Sequence, residues 1–184
     1  PGDPATEVVA DAKTLKSLNE KFPYLFEVHK KNQAVTRHVA SLDYKCFTLW
    51  KPFFIAGYQM LPIPVMHGED YISNGFVFGP SEGRVVYISD CSRIPDETYT
   101  FLKTQKIKLL IVDCLLKEIE HSTHFSMFQA IDLARNLKAE NTFLVGMSSK
   151  LKYHETNKEL LELKLKENLN VQLARDGLCV DVDL

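Results

Sequence analysis

The chain has 184 residues, of which 45% are hydrophobic and 25% are charged, the balance of an ordinary globular protein. The formal net charge of −2 gives no electrostatic reason to expect nucleic acid or an anionic membrane as the main partner. No apolar run approaches the roughly 18 residues that a membrane span needs, and the first residues lack the basic-then-apolar order of a signal peptide. We therefore expect a cytoplasmic protein with a single domain over residues 1–184.

The cysteines carry information about the compartment. Cys46, Cys91, Cys114 and Cys179 lie far apart and form no Cys-x-x-Cys pair. This spacing argues against a disulfide framework and against a structural zinc knuckle. The sequence therefore predicts buried thiols in a reducing compartment.

The first third of the chain predicts a strand followed by a helix. A strand-like run covers residues 6–10, and Asp11 can cap a helix whose apolar residues recur at helical spacing up to Phe22. Residues 33–39 and 46–50 are candidate strands with a less regular pattern. Residues 55–65 predict a strand that ends in Pro-x-Pro, which cannot donate ladder hydrogen bonds and so belongs near an edge or exit.

The rest of the chain mixes antiparallel hairpins with strand and helix alternation. Predicted strands cover residues 72–79, 84–89, 107–114 and 142–145, and predicted helices cover 95–104, 126–139 and 154–167. Residues 171–174 and 178–182 predict a terminal hairpin around Asp176-Gly177. The order predicts an α/β (α+β) domain with mixed sheets and outer helices.

Four chemically suitable side chains follow predicted strands: His67, Asp90, His124 and His154. If these strands share one sheet, their side chains converge at one edge. Imidazole and carboxylate suit a borderline divalent ion such as Zn²⁺, Mn²⁺ or Fe²⁺. Each residue also has a simpler interpretation, because a single histidine after a strand is most often a hydrogen-bonded loop residue, and Asp90 with Ser92 could cap a turn.

Four segments together resemble the later motifs of the metallo-β-lactamase superfamily. They are Pro64-Val65-Met66-His67-Gly68, Val86-Tyr87-Ile88-Ser89-Asp90, Ser122-Thr123-His124-Phe125, and Gly146-Met147 through His154-Glu155. The chain is most similar to the phosphodiesterase branch, which includes the cyclic phosphodiesterase of the carbon–phosphorus lyase pathway and related eukaryotic hydrolases. The resemblance extends over residues 8–182 and implies an αββα sandwich.

The resemblance also implies a role for each residue. His67 matches a ligand of the first metal, Asp90 the carboxylate that bridges both metals, and His154 a ligand of the second metal. His124 matches a histidine that faces the substrate phosphate and stabilises charge or protonates the leaving oxygen. The implied chemistry is two-metal hydrolysis by Zn²⁺ or Mn²⁺, with ions roughly 3.5–4 Å apart.

The chain departs from the family pattern in two places. The His-x-His-x-Asp-His motif is absent, and His29 and His38 cannot imitate it. Where relatives often have another histidine after Gly-Met, this chain has Ser148-Ser149. We therefore expect an N-terminally incomplete fold that holds its metal weakly and is inactive or weakly active as given.

These observations leave three functions open. The leading one is a phosphodiesterase acting on a small cyclic or nucleotide phosphodiester. The second is a non-catalytic interaction or regulatory protein that retains the scaffold, and the third is an RNA-processing nuclease of the same superfamily, which would need a basic surface. Apolar surface left uncovered by an incomplete fold would favour a homodimer.

Overall fold

The computed structural model describes residues 5–26 and 40–182. The chain divides into two compact units, Pro1–Lys51 and Pro52–Leu184, which are described separately. None of the helices in the described ranges is long and apolar enough to cross a membrane.

In its described residues, 5–26 and 40–51, the first unit contains a parallel two-stranded sheet and one α-helix. Its elements are β1 (Thr6–Asp11), α1 (Ala12–Lys21), a 3-10 turn (Pro23–Leu25) and β2 (Leu42–Phe47). The carboxylate of Asp11 accepts hydrogen bonds from the amides of Lys13 and Thr14, so the predicted cap is confirmed.

The strand predicted at residues 46–50 is displaced in the structure. It ends at Phe47, because the chain turns there: the Lys51 amide donates to the Thr48 carbonyl, and Trp50 has a φ of 62°. The candidate strand at residues 33–39 lies outside the described residues.

The second unit is built on a seven-stranded mixed sheet with the order β3-β4-β5-β6-β7-β8-β9. Three helices accompany it. The strands are β3 (Phe53–Ile55), β4 (Tyr58–Met66), β5 (Ile72–Phe78), β6 (Arg84–Ile88), β7 (Ile107–Asp113), β8 (Asn141–Val145) and β9 (Val171–Leu173). The helices are α2 (Asp96–Lys103), α3 (Met127–Leu137) and α4 (Tyr153–Glu167).

The directions of these strands determine where the loops meet. Strands β6 to β9 are parallel, and β5 is antiparallel to both β4 and β6. Strand β4 therefore points the same way as β6, β7 and β8. The carboxyl ends of all four strands lie at one edge of the sheet, as the sequence predicted.

The Pro-x-Pro segment occupies a part of β4 that β3 does not reach. Pairing with β3 ends at Met60, whereas Pro62 and Pro64 pair only with β5. On the other side, the carbonyl of Pro64 accepts a hydrogen bond from the Thr98 hydroxyl of α2 at 2.8 Å. The prolines therefore lie where no neighbouring strand needs their missing amide hydrogens, and the prediction of an edge position is confirmed.

Strand β7 forms the centre of the core. Five of its seven residues are buried, as the continuous apolar run predicted. Helix α3 turns most of its apolar residues inward, and those buried are Met127, Ala130, Ile131, Leu133, Ala134 and Leu137. The predicted class, a mixed α/β protein with a large mixed sheet and helices, is confirmed.

The prediction of a terminal hairpin is wrong. Strand β9 pairs in parallel with β8, and residues 178–182 form no strand. The apolar alternation after Gly177 has another cause, because Val182 packs with Ala174 against a core cluster of Val85, Leu109 and Phe143.

The start of α3 gives a test of local stability. Ser126 and Gln129 form a capping box, in which the side chain of each accepts a hydrogen bond from the other's amide. We expect S126A to lower the free energy of unfolding by about 0.5–2 kcal/mol in urea denaturation. The control is S149A at an exposed loop position. Equal stability of the two variants would contradict the prediction.

Candidate metal centre

His67 follows β4 directly, and its ring is oriented by a backbone carbonyl. Its Nδ1 lies 2.9 Å from the carbonyl oxygen of Thr123, which can only accept, so Nδ1 carries the proton. The amide of His67 donates to the carbonyl of Tyr71 at 2.8 Å. In the neutral form of this half-buried imidazole, the lone pair therefore lies on Nε2.

Asp90 lies after β6 in a left-handed backbone conformation. Its φ is 49°, which aspartate tolerates better than most residues. The following turn is tied to the loop after β4, because the Ser92 amide donates to the Met66 carbonyl at 2.7 Å and the Ser92 hydroxyl accepts from Gly68 at 3.0 Å. Ser92 thus joins two loops of the site, while the exposed Asp90 carboxylate belongs to the group described below.

His124 lies in the loop after β7 and is anchored by a buried carboxylate. Its Nδ1 is 2.8 Å from Oδ2 of Asp113, the last residue of β7, which is 2% exposed. The same oxygen accepts from the amides of Cys91 and Phe125. Asp113 therefore fixes His124 and also joins the loops after β6 and β7.

Asp113 was not among the residues predicted from the sequence. The sequence predicts Asp113 within a continuous apolar strand, although this residue shares with Asp90 the position of a carboxylate at a strand end. The position of Asp113 at a strand end is the feature of the sequence that could have identified it as a site residue. Neighbouring Gly146 after β8 leaves room for it, because a Cβ at Gly146 would lie 2.9 Å from Oδ1 of Asp113. Gly146 also has a φ of 77°, which favours glycine.

His67, Asp90 and His124 come together at the carboxyl ends of the strands. One potential ligand atom from each lies within 4.8 Å of those of the other two. The rings of His67 and His124 are 4.9 Å apart and nearly perpendicular. Two imidazoles oriented through Nδ1 by oxygen acceptors, together with a carboxylate, form a donor set that fits a divalent ion.

Among the described residues, His154 is not part of this group of three. It is the second residue of α4, its side chain is exposed, and its ring lies 5.3 Å from that of Tyr153. The assignment of His154 to a second metal remains a prediction. The structure thus groups His124, which was predicted as catalytic, with the two predicted ligands His67 and Asp90.

The four cysteines differ in their burial. Cys91 and Cys114 are fully buried, as predicted, whereas Cys46 and Cys179 are exposed, so the prediction is wrong for this second pair. Burial raises the pKa of the Cys91 thiol to about 12, and burial likewise raises the pKa of Cys114 to about 12. Both thiols next to the site are therefore protonated at neutral pH and are poor nucleophiles.

The fold and the site together define the class of protein. A large mixed sheet with accompanying helices, and a His-Asp-His group at the strand ends, are features of the metallo-β-lactamase-fold hydrolases. The chain belongs to this superfamily, because the family described as Beta-lactamase superfamily domain matches residues 2–147. The predicted resemblance is thereby confirmed. No curated protein sequence matches the chain significantly.

Several solved structures have a fold similar to that of this chain. The crystal structure of a diphosphatase from the PhnP family is similar with a TM-score of 0.72 and 28% identity, over 94% of this chain and 56% of that one. Zn²⁺-bound PqqB from Methylobacterium extorquens has a TM-score of 0.70 and 12% identity, over 97% and 65%. Unliganded yeast PDE1 has a TM-score of 0.67 and 15% identity, over 96% and 60%. The chain thus spans less than two thirds of the length of each of these proteins.

The burial of two thiols predicts selective alkylation. At pH 8 we expect iodoacetamide to modify Cys46 and Cys179 and to leave Cys91 and Cys114 unmodified, because their raised pKa keeps the thiolate population low. Peptide mass spectrometry measures the four sites, and urea-unfolded protein provides the fully labelled control. Rapid labelling of Cys91 in the folded protein would contradict this.

The position of His154 predicts a difference between two histidine variants. In a Zn²⁺ or Mn²⁺ titration of chelator-treated protein, we expect H67A to lose more than the roughly 10–100-fold in affinity that an outer partner costs. H154A will bind the ion as the unmodified protein does. An equal loss in both variants would instead support the predicted second-metal role of His154.

Proposed function

We propose that the protein is a metal-dependent hydrolase that acts on a small phosphodiester, cyclic or nucleotide. The observation that carries the proposal is the grouping of His67, Asp90 and His124 at one edge of the sheet, with Asp113 behind it. The 28% identity to a diphosphatase of the PhnP family supports a phosphoryl substrate.

The donor set suits one divalent ion, Zn²⁺ or Mn²⁺, held by His67 and Asp90, with His124 either completing the set or facing the substrate. When bound, such an ion supplies Lewis acidity and lowers the pKa of a coordinated water. Every other contribution comes from the protein itself. The Thr123 carbonyl and the Asp113 carboxylate each hold one imidazole in a single orientation, so that both Nε2 atoms are available at the site.

His124 is suited to moving a proton to the leaving oxygen. Its Nδ1 lies 2.8 Å from Oδ2 of buried Asp113, so the carboxylate orients the ring and leaves Nε2 available to carry the proton. The Nε2 atom of His124 donates its proton to the leaving oxygen and then takes up another proton from solvent. This is general acid catalysis with the ring orientation set by a carboxylate.

A small substrate in the cytoplasm fits the remaining features. The net charge of −2 gives no overall electrostatic attraction to a nucleic acid, which favours a small phosphodiester over the nuclease alternative. All four cysteines are free thiols, a state that is compatible with a reducing compartment.

A non-catalytic scaffold is the second candidate. The observation in its favour is the number of donors, since the described residues supply one group of three side chains where two-metal hydrolysis needs more. Such a protein would bind an ion or a phosphorylated partner without turning it over. Activity measurements separate the two candidates.

Hydrolysis of bis(p-nitrophenyl) phosphate in the presence of Mn²⁺ or Zn²⁺ tests the enzyme directly. We expect weak turnover, because the described residues supply one group of three donors, and we expect H67A to abolish it. Metal binding without any turnover, in a chain shown to be the full-length protein, would support the scaffold instead.

Asp113 provides a second test of the same chemistry. We expect D113N to lower kcat by about 100-fold, because the amide keeps the shape but no longer supplies the carboxylate that orients His124 as the proton donor. The control is D132N on the exposed face of α3. Urea denaturation of both variants monitors folding, and a kcat for D113N equal to that of D132N would show that His124 does not act as the acid.

A further inference from the structure

A third imidazole adjoins the group, and neither the predicted roles nor the donor set uses it. His121 is exposed, and its ring centroid lies 5.4 Å from that of His124. The His67 ring lies 4.9 Å from His124. The His124 ring therefore has an imidazole neighbour on each of two loops, and His121 is the most exposed of the three.

Thr123 sets opposite proton positions on two of these rings. Its carbonyl accepts from Nδ1 of His67 at 2.9 Å, whereas its amide donates to Nδ1 of His121 at 3.3 Å. The Thr123 hydroxyl also lies 3.1 Å from that nitrogen and can donate to it. Because an amide can only donate, Nδ1 of His121 must accept, and its ring proton lies on Nε2.

The three rings thus offer different chemistry. His67 and His124 have Nδ1 occupied by oxygen acceptors, which leaves the Nε2 of each ring to face an ion or, in His124, to carry the proton that is transferred. His121 presents an N–H at Nε2, which suits an anionic oxygen acceptor. A phosphate oxygen is the acceptor that the proposed reaction brings to this place.

We propose that His121 binds the phosphate group of the substrate as a neutral hydrogen-bond donor from Nε2. This inference rests on the proposed function for the identity of the substrate. Its physical content is independent of turnover, since it requires only that His121 contact a phosphate oxygen. The role is substrate binding, and the proton transferred in the reaction comes from His124.

Two substitutions separate binding from loop structure. In H121N the amide lies near the position of Nδ1, so the contact with Thr123 is retained and the distal donor is lost. In H121Q the amide reaches the position of Nε2, so a distal donor is retained and the Thr123 contact is lost. S122A, an exposed position in the same loop, is the control.

The kinetic expectation is a change in KM. With bis(p-nitrophenyl) phosphate we expect H121N to raise KM about tenfold, the size of one lost hydrogen bond to a charged group, with kcat nearly unchanged. The inhibition constant of inorganic phosphate, a competitive inhibitor, should rise in H121N by the same factor. H121Q should recover most of the affinity. The reverse order, with H121Q impaired and H121N normal, would show that His121 only supports the loop and would overturn the proposal.

A binding measurement keeps the test valid without turnover. Long-range proton–nitrogen NMR of the histidine side chains reports which nitrogen carries the proton, and we expect the Nε2–H form for His121. Addition of inorganic phosphate should shift this Nε2 signal, and H121N should bind phosphate more weakly than S122A. If the unmodified protein shows these shifts but no hydrolysis, the proposed function fails and the His121 site stands. If it hydrolyses the substrate and His121 does not respond, the His121 site fails.

Discussion

The structure of the site depends on one carboxylate oxygen. Oδ2 of Asp113 accepts three N–H groups, from Cys91 beside Asp90, from His124 and from Phe125. A buried carboxylate without partners would carry a desolvation cost of several kcal/mol, and three donors offset it. The loops after β6 and β7 are thereby held against the end of β7. The position of the site is a consequence of satisfying this buried charge.

The sequence was sufficient to identify the strand ends. Apolar runs and turn residues place His67 and Asp90 after strands without any knowledge of pairing, and the directions of β4 and β6 then bring them to one edge. Loop paths were not accessible in the same way. His124 lies 11 residues after Asp113 and returns because the Leu115 amide donates to the Phe125 carbonyl, a contact between residues that no local pattern specifies. His154 has a similar separation from β8, but it is the second residue of α4 and is not part of the group of three.

Proton position was equally inaccessible from the sequence. His67, His121 and His124 are the same residue type in two neighbouring loops, and their capacity to donate or accept depends on which partner Nδ1 meets. Thr123 supplies both kinds of partner from one residue. The different roles we assign to the three histidines therefore follow from backbone geometry, which a list of residue types does not contain.

The two prolines of β4 have a consequence beyond the pairing of that strand. Beyond Met60, where pairing with β3 ends, Pro62 and Pro64 leave two gaps in the row of amide donors along β4. The carbonyl of Pro64 already accepts a hydrogen bond from the Thr98 hydroxyl of α2. A strand from another molecule could not form a continuous ladder there. This part of the chain, which leads directly to His67, is therefore protected from edge-to-edge aggregation by its covalent structure.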